Sequence, residues 1–237
     1  MRVALTRSSE ATAASAARLA AMGFATAVIP VVTIRATGAT PPIEPFDALV
    51  ATSAAAFSGL APGVRERLAP LRLYVVGDRT AKAAAQAGFT SACVVAPDAA
   101  ALAARLVDLL PKPSSALYLA GRDRMSGLED ALIAAGHRVT VCEVYEAQAR
   151  ADWSEDEAQA LAACDAVLHY SRRSAELAAG LAERAGLAAH FSNVLHVCIS
   201  DTAAEPLRFA GAHRIFIASS AREENLFETL AACAKTN

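Results

Sequence analysis

The sequence predicts an α/β fold, with parallel sheets covered by helices and divided between two domains. Three observations predict it. Short apolar runs alternate with Ala-rich amphipathic stretches along all 237 residues, the rhythm of strand–helix units in a parallel sheet. Five helical stretches end at a glycine, Gly23, Gly88, Gly136, Gly186 and Gly211, the usual left-handed stop. The chain also resembles itself about half its length apart. LTRSSEATAASAARLAAMGFATAVIPVV recurs loosely as LAGRDRMSGLEDALIAAGHRVTVCEVY, DALVATSAAAF as DAVLHYSRRSA, and VVGDRTAKAAAQAGF as VCISDTAAEPLRFAG. A repeat on that scale points to two related domains, and taken alone it places the division near mid-chain.

The elements follow in order. Arg2–Leu5 is an apolar strand ending at Thr6, and a helix near 9–22 runs to Gly23. Ala25–Ile34 reads as one long apolar strand, although Pro30 interrupts it. Ala48–Ala51 precedes a helix near 53–60, and Leu73–Val76 runs through the Gly77 turn into a helix near 79–87. After the strand Ala92–Val95, Pro97 and Asp98 open a helix near 98–110 that Pro111 and Pro113 close. Ala116–Leu119, a helix near 124–135 and Arg138–Cys142 follow. The remaining strands are Ala166–Tyr170, Leu195–Ile199 and Arg214–Ala218, set among helices near 155–163, 173–185, 201–210 and 222–233.

Composition narrows the function. A net charge of −2 and a pI near 6.2 lack the basic field that non-specific nucleic-acid binding needs. No apolar run reaches the ~18 residues of a membrane span, and the opening MRVALTRSSE is too polar for a signal peptide. Five cysteines, an odd number without a C-x-x-C, read as buried reduced thiols of a cytoplasmic protein. The histidines form no metal-ligand spacing, so neither a metal nor another cofactor is expected. Phosphate-binding, dinucleotide-binding and serine-hydrolase signatures are absent from the sequence. The Ala-rich surface points to a monomer.

Ligands of open parallel sheets bind at the carboxyl ends of the strands, beside helix N-termini. Those ends carry Thr6 and Arg7; Thr52, Ser53 and Ala54; Gly77 and Thr80; Gly121 and Arg122; Ser171 and Ser174; Ser200 and Thr202; and Ser219 and Ser220. Free N–H groups and the helix dipole there favour anions, and small residues admit a ligand to the backbone. Each hydroxyl is also a good N-cap. Repetition over seven turns, several with an arginine, points to an acidic or polyanionic small molecule.

The motifs VALTR (3–7), IPVVTI (29–34), DALVATSAAAF (47–57), VVGDRTAKAAAQAGF (75–89), LYLAGRD (117–123), VTVCEVYEA (139–147), DAVLHYSRRSA (165–175) and ISDTAAEPLRFAG (199–211) together resemble the uroporphyrinogen-III synthase family. The resemblance implies two flavodoxin-like domains joined by a two-stranded connector. One domain would be discontinuous, built from 1–34 and 150–237; the other would be an insertion over 38–142, with connector strands 29–35 and 142–148. It implies an enzyme, a cyclising hydro-lyase that takes hydroxymethylbilane, a linear tetrapyrrole with eight carboxylates, to uroporphyrinogen III with ring D inverted. Tyr145 matches the family tyrosine that assists departure of the hydroxyl. Thr80 matches a substrate-facing threonine, and Thr6, Ser53 and Ser171 match strand-end positions facing the tetrapyrrole. The family's later Gly-Pro-Thr-Thr-Ala-like turn is here Ser200-Asp201-Thr202-Ala203-Ala204, which sets an acidic Asp201 where a carboxylate would approach. His169 and Trp153 read as packing residues. The rival reading of the same turns is a non-catalytic, two-lobed binding or sensor protein for an acidic small molecule.

Overall fold

A computed structural model describes residues 1–235, and of residues 9–11 the backbone only. The chain opens with β1 (Arg2–Leu5), α1 (Ser9–Ala21), β2 (Ala25–Val28) and β3 (Val32–Ala36). It continues through β4 (Ala48–Ala51), α2 (Ala55–Ser58), α3 (Pro62–Leu68), β5 (Arg72–Val76), α4 (Gly77–Gln86), β6 (Cys93–Ala96) and α5 (Ala99–Leu109). Next come β7 (Ser115–Gly121), α6 (Gly127–Ala134), β8 (Arg138–Ala149), α7 (Glu155–Ala162), β9 (Ala166–His169) and α8 (Arg172–Arg184). The last elements are α9 (Ala188–Asn193), β10 (Leu195–Cys198), α10 (Asp201–Phe209), β11 (Arg214–Ile217) and α11 (Glu223–Lys235). The strands form two separate sheets in two compact units, Met1–Thr33 with Gln148–Asn237, and Ile34–Ala147.

The first unit holds a parallel sheet in the order β11-β10-β9-β1-β2. In the unit's own chain order this is the flavodoxin-like arrangement 2-1-3-4-5. Its inner strands β9 and β10 are buried at every position, as a sheet covered on both faces requires. Alternate residues feed opposite cores. Ala4, Val167 and Cys198 pack with Ala178, Leu181 and Leu207 of α8 and α10. Leu5, Leu168 and Val197 pack with Leu19, Leu226 and Phe227 of α1 and α11.

The second unit holds the order β3-β8-β7-β4-β5-β6, with β4 to β8 mutually parallel along their pairings. Counting β7 first, β8-β7-β4-β5-β6 is the same 2-1-3-4-5 arrangement in a circularly permuted chain. That permutation explains the sequence repeat. It matches β1 with β7, β2 with β8, β9 with β4 and β10 with β5, which are the segments that resemble one another. Here Leu49, Leu73, Leu117 and Leu119 face a core with Phe57 and Ala84, while Val50, Tyr74 and Tyr118 face Leu102, Leu106 and Leu128.

The run Ala25–Ile34, expected as one strand, is two strands in different sheets. Pro30 has no N–H for a ladder, so the strand stops before it. The backbone N–H groups of Ile29 and Val31 still donate to Leu5 and Thr6. Segment 142–148 is not a separate strand either: it lies inside the continuous β8, which has no glycine or proline to break it. Two short helices, α3 and α9, lie where no helix was expected; each is about two turns or fewer, too short for a clear periodicity. All five glycines read as helix stops adopt positive φ. Among the described residues every cysteine is free; Cys142, Cys164 and Cys198 are buried, but Cys93 is exposed, because it opens the edge strand β6. No helix among the described residues is long and apolar enough to cross a membrane.

Candidate active site

Because the strands of the first sheet and β4 to β8 of the second run parallel, their carboxyl ends gather at one edge of each unit. In the second unit that edge collects Thr52, Ser53 and Ala54 after β4, Gly77 and Thr80 at the start of α4, Gly121 and Arg122 at the end of β7, and Tyr145 on β8. In the first it collects Thr6 and Arg7 after β1, Ser171 and Ser174 after β9, and Ser200 and Thr202 after β10.

Tyr145 is half-buried and packs against the Leu117 core. Its placement follows from a β-bulge. Ala120 pairs with Glu143, but Gly121 pairs with Tyr145, so β8 carries one extra residue there, a device that re-aims a side chain. The N–H of Arg122 then donates to the Tyr145 carbonyl at 2.9 Å. Gly121 is required: a Cβ at that position would lie 2.6 Å from Cε2, 2.7 Å from Cζ and 2.9 Å from the hydroxyl of Tyr145. The ring therefore lies directly over the β7 backbone, with its phenol at the mouth of the sheet.

Charges gather on β8 and on the loop that follows β7. Arg122 donates to Glu146 and lies 3.6 Å from Glu143. Arg124 donates to Glu129 at 2.6 Å, to Glu143 at 2.7 Å and to the Gly121 carbonyl at 3.2 Å. Its bonds to Glu129 and Glu143 raise the Arg124 pKa further, so it stays charged. Glu143 and Glu146 flank Tyr145 in sequence, and their arginine partners offset the two carboxylates. Sequence reasoning missed Arg124, Glu129, Glu143 and Glu146, because the loop that brings them together has no distinctive spacing.

Elsewhere at this mouth, the Thr52 hydroxyl is 2.8 Å from the Tyr118 hydroxyl. Ser53 Oγ accepts from the Ala55 N–H at 3.3 Å, starting the single turn of α2 after Ala54. Gly77 has φ of 75°, a conformation that turns β5 directly into α4 and that other residues rarely adopt. Thr80 is buried on the first turn of that helix, and Asp78 beside it is exposed.

At the other mouth the hydroxyls are largely committed. Thr6 is buried and donates to the Leu168 carbonyl at 3.2 Å, tying β1 to β9. Ser171 and Ser174 form a capping box at the start of α8. Ser200 caps α10 by accepting from the Ala203 N–H, and its oxygen lies 2.9 Å from Thr202 Oγ1. What these turns offer an anion is the free backbone N–H groups of the first helical turn. Arg7 stacks 4.6 Å over the Tyr170 ring and lies 3.5 Å from Glu223. Asp201 does not face an incoming carboxylate alone: it accepts from Arg208 of its own helix at 2.6 Å, which holds its carboxyl below the usual range. Arg172 is 3.2 Å from Glu205.

His169 and Trp153 are packing residues, as read from the sequence. Trp153 is buried and donates to the Pro30 carbonyl at 3.2 Å. His169 is fully buried beside a second buried histidine, His196, with 3.0 Å between Nε2 of the first and Nδ1 of the second. Among the described residues no cluster of His, Cys, Asp or Glu is arranged to hold a metal ion.

Comparison with known proteins bears on the fold and the family. No curated protein sequence matches the chain. A crystal structure of uroporphyrinogen-III synthetase from Helicobacter pylori is 19% identical, with 98% of this chain and 100% of that one covered and a TM-score of 0.60; at that identity it shows the fold. A mutant uroporphyrinogen III synthase from the extremely thermophilic bacterium Thermus thermophilus is 18% identical over the whole of both chains, with a TM-score of 0.47. The family model described as uroporphyrinogen-III synthase HemD matches residues 13–228, and over that span, nearly the whole length, the chain belongs to the uroporphyrinogen-III synthase family.

Proposed function

We propose that this chain carries out its family's reaction with Tyr145 as the residue that assists the leaving hydroxyl and with the strand mouths as holders of the substrate's carboxylates. As a member of the family it is an enzyme of tetrapyrrole biosynthesis, a cyclising lyase. The substrate, hydroxymethylbilane, loses the hydroxyl of its ring A hydroxymethyl group as water. The C–O bond breaks with a proton delivered to oxygen, leaving an electrophilic azafulvene. The substituted carbon of ring D attacks it and forms a spiro intermediate, which fragments and recombines so that the ring closes with ring D inverted. The substrate supplies its own nucleophile. The protein has to hold a flexible chain in one reactive geometry and help the oxygen depart.

The observation that carries the reading is the Tyr145–Gly121 contact. A half-buried phenol held over a glycine backbone at a strand mouth is a fixed donor for a departing oxygen. Arg122, whose backbone N–H donates to the Tyr145 carbonyl, exchanges its Glu146 partner for a substrate carboxylate. Gly77, Thr80, Thr52, Ser53 and Ala54 line the same edge; Ser171, Ser174, Ser200, Thr202, Thr6 and Arg7 form the corresponding edge of the other unit, where Thr6 acts by fixing β1 against β9. The reading needs no cofactor and treats the monomer, in the cytoplasm, as the working unit. No observation favours a binding-only role for these turns.

Feeding hydroxymethylbilane to the protein and separating the two uroporphyrinogen isomers tests the reading. Unassisted closure gives the type I isomer without inversion, so product choice is the protein's contribution. Type III as the main product is the expected result; type I alone, at the uncatalysed rate, overturns it.

A further inference from the structure

We propose that Tyr118 is a positioning residue for this reaction, acting through Thr52, whose hydroxyl proton it directs outward to the substrate. The inference rests on the reading that Thr52 belongs to the substrate site. β4 and β7 are in register with Val50 opposite Tyr118. Thr52 lies two residues beyond Val50, on the same face and at the mouth of the sheet. The Tyr118 side chain therefore runs along that face from the core toward the mouth. It is 3% exposed, packed in the cluster of Val50, Tyr74, Leu102 and Leu128, and only its hydroxyl reaches the polar edge, 2.8 Å from Thr52 Oγ1.

The direction of that hydrogen bond decides what Thr52 can do. A phenol is the more acidic hydroxyl of the two, with an ordinary pKa of about 10, and so the better donor. Burial raises the Tyr118 pKa, the Thr52 hydrogen bond acting in the opposite sense, so the phenol keeps its proton. Thr52 Oγ1 is also the one hydrogen-bond partner of the Tyr118 hydroxyl among the described residues, so the buried phenol proton goes to Thr52. That bond occupies an acceptor site on Thr52 and leaves the threonine proton for a different acceptor. The Tyr118 contact is the one hydrogen bond of the Thr52 side chain among the described residues. A carboxylate accepts such a proton well. Phenylalanine would fill the core equally well; the buried hydroxyl is favourable only because it is bonded.

Four variants test this with hydroxymethylbilane as the probe: Tyr118→Phe, Thr52→Val, Thr52→Ser, and the double variant Tyr118→Phe with Thr52→Val. For each, KM, kcat, the ratio of type III to type I product and the melting temperature are measured. Loss of one neutral hydrogen bond corresponds to roughly a three- to tenfold rise in KM. Tyr118→Phe is expected to show that rise and a lower type III share, with kcat nearly unchanged and melting within a few degrees of wild type. Thr52→Val is expected to match or exceed it, Thr52→Ser to stay near wild type, and the double variant to be no worse than Thr52→Val. A Tyr118→Phe enzyme with wild-type KM and product ratio beside a defective Thr52→Val overturns the inference alone. So does a double variant whose defect is the product of the two single ones, because Tyr118 would then act independently. A wild-type Thr52→Val overturns the inference and removes Thr52 from the site, while type III formation by the unmodified protein still upholds the family reaction.

Discussion

Gly121 lacks a side chain because the Tyr145 ring occupies the space one would need. Gly121→Ala is therefore expected to push the ring from its position, at a packing cost of about 1–3 kcal/mol, and to lower kcat more than it raises KM. A variant with full turnover would show that the ring's position is immaterial. Tyr145→Phe removes the donor and keeps the ring. It is expected to lower kcat by roughly 10²-fold with little change in melting temperature, and retained turnover would take Tyr145 out of the mechanism. As a candidate, Tyr145 was legible in the sequence because EVYEA sits at a recognisable place in the order of motifs. Tyr118 was not. LYLAGRD presents it as one more strand residue, and its reach to Thr52 depends on which strand lies beside β7, a fact of topology and not of local sequence.

At the scale of elements, the hydroxyls at strand ends had two readings, capping and ligand contact, and the structure shows the first at Ser171 and Ser200 directly. The two are compatible only through the backbone: a capped turn still presents N–H groups of its first residues. The helices whose starts carry this chemistry were legible from their glycine stops and apolar faces. The break at Pro30 was visible too, but local pattern read Ala25–Ile34 as one strand, and only the family resemblance set 29–35 apart as a connector strand. β9 and β10 also carry a buried histidine pair, His169 and His196. His196 Nε2 lies 2.7 Å from the Phe191 carbonyl, which can only accept, so Nε2 carries the proton. Nδ1 then accepts from His169 Nε2, and both rings are neutral. Burial lowers both pKa values, that of His196 to about 4 and that of His169 well below the ordinary value near 6.5. The unfolded chain therefore binds more protons than the folded one below pH 6.5, and stability falls as pH drops from there toward 4, by up to about 1.4 kcal/mol per pH unit for each histidine. Urea midpoints taken from pH 8 to pH 5 should be flat above pH 7 and decline below 6.5. A flat profile down to pH 5 would mean that the pair is not buried in neutral form.

At the scale of the whole molecule, the repeat in the sequence was real but its simplest interpretation was not. It suggested a cut near mid-chain, whereas the units are Met1–Thr33 with Gln148–Asn237, and Ile34–Ala147. Circular permutation reconciles them: equivalent strands recur half a chain apart although neither half is a unit. Local pattern reveals strands and helices, but only sheet order reveals which strands are neighbours, and the site is made of neighbours. The central claim is that backbone N–H groups at the strand mouths of each unit hold substrate carboxylates. Hydrogen exchange of the protein with and without its octacarboxylate product tests this most directly. Protection is expected at the turns Gly77–Thr80, Gly121–Arg122, Ser171–Ser174 and Ser200–Thr202, with the opposite ends of the same strands unaffected. Unchanged exchange at those turns, under conditions where the product is bound, would contradict it.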